Sequence, residues 1–442
     1  MATVIPFCGI RYNPHKINGS LDTVVAPPYD VIDFDQQEAL YRASPHNSVR
    51  LILGRQYDGD SPSDNRYTRS ATTLDKWLRE GVLREDMKPA FYVYEQSYTI
   101  KSGHPAVEKT LIRRGVLVAL KLETLGQGTV YPHEETFPSH KADRLNLMRA
   151  CRANFSPVFG LVPDPEKDLH KLLQEAPRGA KPEWEIKEDH GISDRLWPVD
   201  DPAICQQLME SFAGRKVFIA DGHHRYETAC NYRDERRRND STPYLKAEKF
   251  YDFVLMMCVP MSDPGLFILP THRLIHKQGL KAAELAAKTG AHFELAEASD
   301  KDLYAVSERS DGPVRFGLVF PDGAKRLLTA KPAVAAEMKA LAAAKSDHWR
   351  ELDVAILHEL LLKKLLDVPE QHTKTGGPIA YTKAVEDVLK RVAPGGEFGF
   401  GVVMRPTRIE QVCAVSETGE RMPHKSTYFY PKLLSGLVMR RL

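Results

Sequence analysis

Four polar groups that can bind or move charge are packed into five consecutive residues, Asp221-Gly222-His223-His224-Arg225. The apolar run 216–220 before them reads as a strand, and the sequence from His223 to about Arg238 reads as a helix. A glycine at such a junction lets the backbone turn tightly and approach a ligand. The first amides of a helix have no internal partner, and the helix dipole adds positive potential at that end. An anion placed there would be held by amides, dipole, Arg225 and the imidazoles of His223 and His224. Asp221 can accept a proton or hold a magnesium ion that bridges phosphate oxygens. The competing reading makes Asp221 a helix N-cap and the two histidines ordinary surface groups.

A second constellation lies in 131–149, where His133, Glu134, Glu135, Lys141, Asp143, Arg144 and Arg149 crowd one loop and the start of a helix. Lys141 and Arg144 are three apart and share a helix face. A carboxylate such as Glu134 beside these cations can serve as base or metal ligand while the cations hold phosphate. An ordinary solvated helix start is the alternative. A third is the loop 419–427, with Arg421, Lys425, Ser426 and Thr427, which suits an anion but lacks the glycine spacing of a Walker A loop. A solvated turn explains it equally well. Asp30, after two prolines, is a rigidly held carboxylate or a simple turn residue. His272 and His276 are four apart without an evident third ligand, so a metal pair there is not favoured. No H-E-x-x-H occurs around His133 and His140, which excludes that metalloprotease pattern.

The elements that must position these groups are legible in outline. Val24 to Ile32 reads as a strand broken by Pro27 and Pro28. Helices are expected over 67–81 and 140–153, and paired strands over 91–99 and 111–122. After a polar stretch at 181–194 comes a compact series: strand 196–199, a helix opened by Asp201-Pro202 and running to Phe212, strand 216–220, and the helix from His223. Beyond it are a buried strand in 250–260, a hairpin over 314–329 turning at Asp322-Gly323, an amphipathic helix over 352–366 and a linker at 372–378. The 442 residues are too many for one core, and three units are expected: 1–185, 186–275 and 276–442.

Composition bounds the function. Hydrophobic residues make up 42% and charged residues 27%, values of a folded globular chain. A formal net charge of +2 gives no global field toward nucleic acid, and no basic tail or helix-turn-helix is seen, so a nucleic-acid partner is disfavoured. No run is apolar enough to span a bilayer and no targeting signal is found, so a cytoplasmic protein without a membrane partner is expected. The six scattered cysteines form no C-x-x-C and are expected to be free thiols.

The segment 190–240, with Asp221 to Arg225 at its corner, resembles the ParB/sulfiredoxin superfamily, and within it the free-serine kinases. The resemblance implies that the corner binds nucleotide phosphates. Over almost the whole chain the sequence is similar to the bacterial family of domain of unknown function ten-fifteen. The stretches that carry this are Val25-Ala26-Pro27-Pro28-Tyr29-Asp30-Val31-Ile32, His133-Glu134-Glu135-Thr136, Asn154-Phe155-Ser156-Pro157, Asp221 to Tyr226, and Lys425 to Leu433. Phosphorylation of free serine is implied for some members of that family.

These readings combine into one expectation. The fold is mixed α/β (α+β), with a ParB/sulfiredoxin-like strand-helix-strand-helix core embedded in a larger multi-unit chain. The activity is a small-molecule kinase that moves a phosphoryl group from ATP or ADP, with Mg2+, to the hydroxyl of L-serine or a similar compound. Asp221, His223, His224 and Glu134 are the catalytic candidates. Gly222, Arg225, Lys141, Arg144, Arg421, Lys425, Ser426 and Thr427 are the nucleotide-binding candidates, and Asp221 and Glu134 those for the metal. A homo-oligomer is compatible with all of this. The rival is a ParB-like nucleotide-gated binding protein or nucleotide hydrolase acting with DNA. A sulfiredoxin-like reductase is disfavoured, because its cysteine position is taken by His223.

Overall fold

A computed structural model describes residues 2–17, 19–103, 106–136, 138–188, 191–240, 248–276, 279–308, 311–368 and 377–442. It is a mixed α/β chain built on two large sheets.

The larger sheet has nine strands. In chain order they are β1 (Val4–Ile5), β2 (Phe91–Ser102), β3 (Val107–Lys121), β4 (Val130–Tyr131), β5 (Val158–Val162), β6 (Trp184–Lys187), β7 (Ser193–Val199), β8 (Val217–Asp221) and β9 (Phe253–Pro260). Their spatial order is β4-β8-β5-β9-β3-β2-β7-β6, with β1 also paired to β3. Strands on both sides of residue 185 therefore share one sheet. The boundary expected between 185 and 186 falls inside β6, which pairs with β7.

The expected series is present, as β7, the helix Pro202–Phe212, β8 and the helix His223–Arg238. Asp201 caps the first helix, accepting from the amides of Ala203 and Ile204. Along β8 the side chains alternate between two cores. Val217 and Ile219 pack with Leu208, Phe212, Tyr226 and Ala229 on the helix side, while Phe218 and Ala220 pack with Phe159 and Phe429 on the other.

The second sheet has six antiparallel strands: β10 (His272–Ile275), β11 (Phe293–Glu297), β12 (Arg315–Val319), β13 (Lys325–Ala330), β14 (Ile379–Thr382) and β15 (Phe400–Val403), in the order β11-β13-β12-β15-β10-β14. The β12–β13 hairpin is the one expected at Asp322-Gly323, where Gly323 takes φ +83°.

Two expectations change. Val24 to Ile32 is not a strand: Ala26 makes a single bridge to Ser435, and the prolines that follow cannot donate to a ladder. The amphipathic segment 352–366 is wound mainly as a π-helix over Ile356–Leu365. Of the linker expected at 372–378, residues 372–376 lie outside the described residues. No helix among the described residues is long and apolar enough to cross a membrane, and all six cysteines are free.

Candidate functional site

Asp221 is the last residue of β8, and the register with β5 shifts between Ile219 and Asp221. Such a bulge re-aims the residues after it. Asp221 is thereby brought to the segment 428–432, where its Oδ1 accepts from Lys432 Nζ at 2.9 Å. Its Oδ2 accepts from an Arg225 guanidinium nitrogen at 3.0 Å. Burial alone would raise its pKa, but Lys432 and Arg225 outweigh it and hold the carboxyl well below its ordinary value. Lys432 answers in kind: burial works to lower its pKa, and Asp221 raises it above the usual lysine value.

Asp221 is thus not the helix cap. That position is Gly222, in the left-handed conformation at φ 86° and ψ 28°, and no side chain caps this helix. A Cβ on Gly222 would stand 2.8 to 2.9 Å from the Arg225 guanidinium, so the missing side chain also leaves room for Arg225 to fold back onto Asp221. The other terminal nitrogen of Arg225 donates to the carbonyl of Pro157, and among the described residues its Nε has no hydrogen-bond partner. The first intrahelical bond runs from Tyr226 N–H to Gly222 O, which leaves the amides of His223, His224 and Arg225 without intrahelical partners.

His133 and Glu134 come to the same corner. His133 is 1% exposed, and burial pushes its pKa down to about 4, so it is neutral. Its Nδ1 lies 2.7 Å from the Ile219 carbonyl and must carry the proton; its Nε2 then accepts from the Thr427 hydroxyl at 2.9 Å. The His133 amide donates to His223 Nε2 at 3.2 Å. That places the His223 proton on Nδ1, 3.8 Å from a Glu134 carboxylate oxygen. His223 is buried and its pKa falls well below the ordinary histidine value, first through desolvation and then through its neighbours. Glu134 bridges Met422 through its backbone. Its carboxyl pKa is raised, burial and Asp221 outweighing Lys425 and Lys432.

The three sequence constellations therefore converge, but not every member turns inward. Arg144 is buried, bonded to Asp143 and to the Ile52 carbonyl, with its guanidinium 3.9 Å from the Tyr29 ring centroid. Its fork is filled by protein groups, which corrects the expectation that it binds phosphate. Lys141 pairs with Glu227 at 2.9 Å, and Arg421 donates to the Pro132 carbonyl at 3.1 Å. The Ser426 hydroxyl donates within its own loop, to Pro423. The His224 ring stands 5.0 Å from that of His140, and burial, then His140, lower its pKa to about 4. Asp30 contributes to the field at His224, Lys432 and Tyr428, which puts it near this cleft.

Two cations escaped sequence reasoning. Lys432 closes the Pro431-Lys432 end of the Lys425–Leu433 run and could have been suspected there. Lys383 follows β14 in the second sheet, and no local pattern marks it. Both ammonium groups stand 4.4 Å from the Tyr428 ring centroid.

Among the described residues no group of three or more His, Cys, Asp or Glu side chains could hold a metal ion. A magnesium ion shared with substrate phosphates needs only one or two carboxylates. Glu134 fits that demand better than Asp221, whose two oxygens are already engaged by cations.

Fold and site define a mixed α/β protein whose strand-helix-strand-helix core ends in a carboxylate clamped by two cations beside a helix N-terminus. The chain belongs to the family described as Protein of unknown function (DUF1015), whose model matches residues 4–355. No curated protein matches it. Solved structures with some similarity include a free serine kinase variant in complex with AMP, at 14% identity and TM-score 0.31, covering 68% of this chain and 84% of that one. Another is a conserved hypothetical protein from Pyrococcus furiosus, at 14% identity and TM-score 0.30, covering 69% and 89%. A third is C-terminally truncated SbnI from Staphylococcus aureus, at 12% identity and TM-score 0.29, covering 71% and 78%.

Proposed function

We propose that this protein is a phosphotransferase that moves the terminal phosphoryl group of ATP or ADP to the hydroxyl of a small molecule. Free L-serine is the preferred acceptor, giving O-phospho-L-serine and the nucleotide shortened by one phosphate. The observation that carries this is the Asp221 corner. One strand-helix junction gathers free helix amides, Arg225 and Lys432, with a second carboxyl, Glu134, across a neutral imidazole. Phosphoryl transfer asks for this combination: positioning, neutralisation of phosphate charge, and a carboxylate to take the hydroxyl proton.

In this reading the amides of residues 222–224, Arg225 and Lys425 hold phosphate. Glu134 would hold Mg2+, which would neutralise charge on the phosphate oxygens. Asp221 and Asp30 are the carboxylates left for the proton of the acceptor hydroxyl. Asp221 draws Lys432 and Arg225 into place, and its depressed pKa keeps it ionised as their counter-charge. His223 and His224, neutral at pH 7, act as hydrogen-bonding groups. Serine as acceptor rests on the resemblance of Asp221 to Arg225 to the free-serine kinases.

The test is incubation of the purified protein with terminally labelled ATP or β-labelled ADP, Mg2+ and a panel of amino acids and small alcohols. Label should appear in phosphoserine. Label released only as inorganic phosphate, whatever the acceptor, would replace the kinase by a hydrolase.

A further inference from the structure

The segment 425–432 is a strap between the two large sheets. On one side Arg273 of β10 donates to the Lys425 carbonyl at 3.2 Å, and Thr407 donates to the Ser426 carbonyl at 2.7 Å. On the other side the buried Arg113 of β3 donates to the carbonyls of Tyr430 at 3.1 Å and Pro431 at 2.6 Å, and Gln96 of β2 donates to Lys432 O at 3.2 Å. The strap is anchored at both ends by side chains of regular strands. Its own side chains are thereby fixed against the edge strand β14, which ends at Thr382, one residue before Lys383.

The product of this anchoring is a pair of ammonium groups over one ring, with a third lysine, Lys425, nearby. Lys383 and Lys432 each stand 4.4 Å from the Tyr428 ring centroid, and Lys425 is close enough to Lys383 for the two like charges to oppose each other. A π-face attracts each cation, which offsets part of the repulsion between the two like charges. Only Lys432 is matched by a carboxylate, Asp221 at 2.9 Å. Among the described residues Lys383 and Lys425 form no ion pair, and both are exposed. Although the residue as a whole is exposed, surrounding protein partly desolvates its ammonium group; that desolvation, then the two neighbouring lysines, lower the Lys383 pKa, with Asp387 the smaller opposing influence. Glu134 lies in the field of Lys425 and Asp387 in that of Lys383, yet neither lysine is closed off by an ion pair among the described residues. Two such cations at one mouth match a ligand bearing two or more negative charges, lysine being a point-charge binder of phosphate.

We infer that Lys383 and Lys432 over Tyr428, with Lys425 beside them, form an anion subsite that takes the phosphate chain of the nucleotide, so that the second sheet completes the site of the first. The inference draws the identity of its ligand from the phosphotransferase reading; the cation cluster itself does not depend on it. Lys383 is a binding residue and takes no part in bond making. Its loss should raise the KM for nucleotide and leave the KM for the acceptor unmoved.

The experiment measures binding of ADP and of inorganic pyrophosphate to the full chain by calorimetry, for the wild type, Lys383→Gln and Lys390→Gln. Lys390 is an exposed lysine on the following helix, and serves as the charge control. Lys383→Gln should weaken both ligands roughly ten- to a hundredfold, the loss of one hydrogen bond to a charged group, with Lys390→Gln unchanged. The Lys383 side chain is exposed, so both variants should melt like the wild type. Binding within twofold of wild type in Lys383→Gln overturns the inference, as does failure of either probe to bind the wild type at millimolar concentration. Lys383-dependent binding without transfer of label to any acceptor keeps the subsite and removes the kinase reading. Transfer with binding indifferent to Lys383 does the reverse.

Discussion

At the scale of single residues the structure separates charge from shape at Asp221. Its carboxylate caps no helix and instead joins Lys432 to Arg225. Asp221→Asn keeps the size and removes the charge. If Asp221 is the base, turnover with serine should fall by about a hundredfold to ten-thousandfold. The asparagine amide oxygen still accepts from Lys432, so the protein should stay folded, with a midpoint lowered by the loss of the counter-charge of this largely buried lysine. Activity within tenfold of wild type would move the base to Asp30. A second residue-scale prediction concerns pH and lies away from the site. His272 is 0% exposed, and burial, then Arg273, lowers its pKa to about 3 from an ordinary 6.5. Between those values the unfolded chain binds a proton there that the folded chain refuses. The stability this histidine contributes is therefore complete above about 6.5 and lost as pH falls toward 3. Thermal midpoints followed from pH 7 to 4 should drop less steeply in His272→Asn than in the wild type. Parallel curves would show that His272 is not a source of the acid sensitivity.

At the scale of elements the junction β8–Gly222–helix is the part most legible in sequence, because all its determinants are local. An apolar run, a glycine and a polar helix start within a dozen residues specify the turn, and Asp201-Pro202 specifies the preceding helix in the same way. Where the determinant is not local, the reading failed. Val24 to Ile32 has strand-like side chains, yet two prolines leave it one bridge. Over Ile356–Leu365, apolar periodicity does not distinguish i→i+4 from i→i+5 winding, so the π-helix was invisible. Gly222→Ala tests the junction itself. A left-handed conformation costs a residue with a Cβ about 1–2 kcal/mol, and here the Cβ would also press on the Arg225 guanidinium at 2.8 Å. The variant should melt slightly lower but lose nucleotide affinity out of proportion, since Arg225 must swing off Asp221. Unchanged affinity with a lowered melt would mean that Arg225 does not serve the ligand from its present position.

At the scale of the whole molecule, what sequence could not show is which distant segments meet. Arg144 looked like a phosphate ligand because it shares a helix face with Lys141, but the partners that claim it, Ile52 and Tyr29, come from far earlier in the chain. Lys432 and Lys383 reach the site only through the strap and the second sheet. The end of the chain shows the same dependence in its packing. The strand Met439–Arg441 pairs with Gly9–Tyr12 on one side and Ala153–Asn154 on the other, so it ties the start, middle and end of the sequence into one four-stranded sheet. Met439 is 0% exposed, and Leu437 and Val438 are 2% and 1% exposed. Burying three such side chains contributes about 1.5–3 kcal/mol each, a sum comparable with the whole stability of a typical domain. A chain ending at Ser435 should therefore be insoluble or lack a cooperative melt. Met439→Ala, which keeps the strand and opens a cavity, should stay folded with a loss of about 2–5 kcal/mol and a visibly lower midpoint. A truncated chain that melts like the wild type would show that this sheet is dispensable, and that anchors such as Arg113, Gln96, Arg273 and Thr407 suffice to hold the strap and its lysines in place.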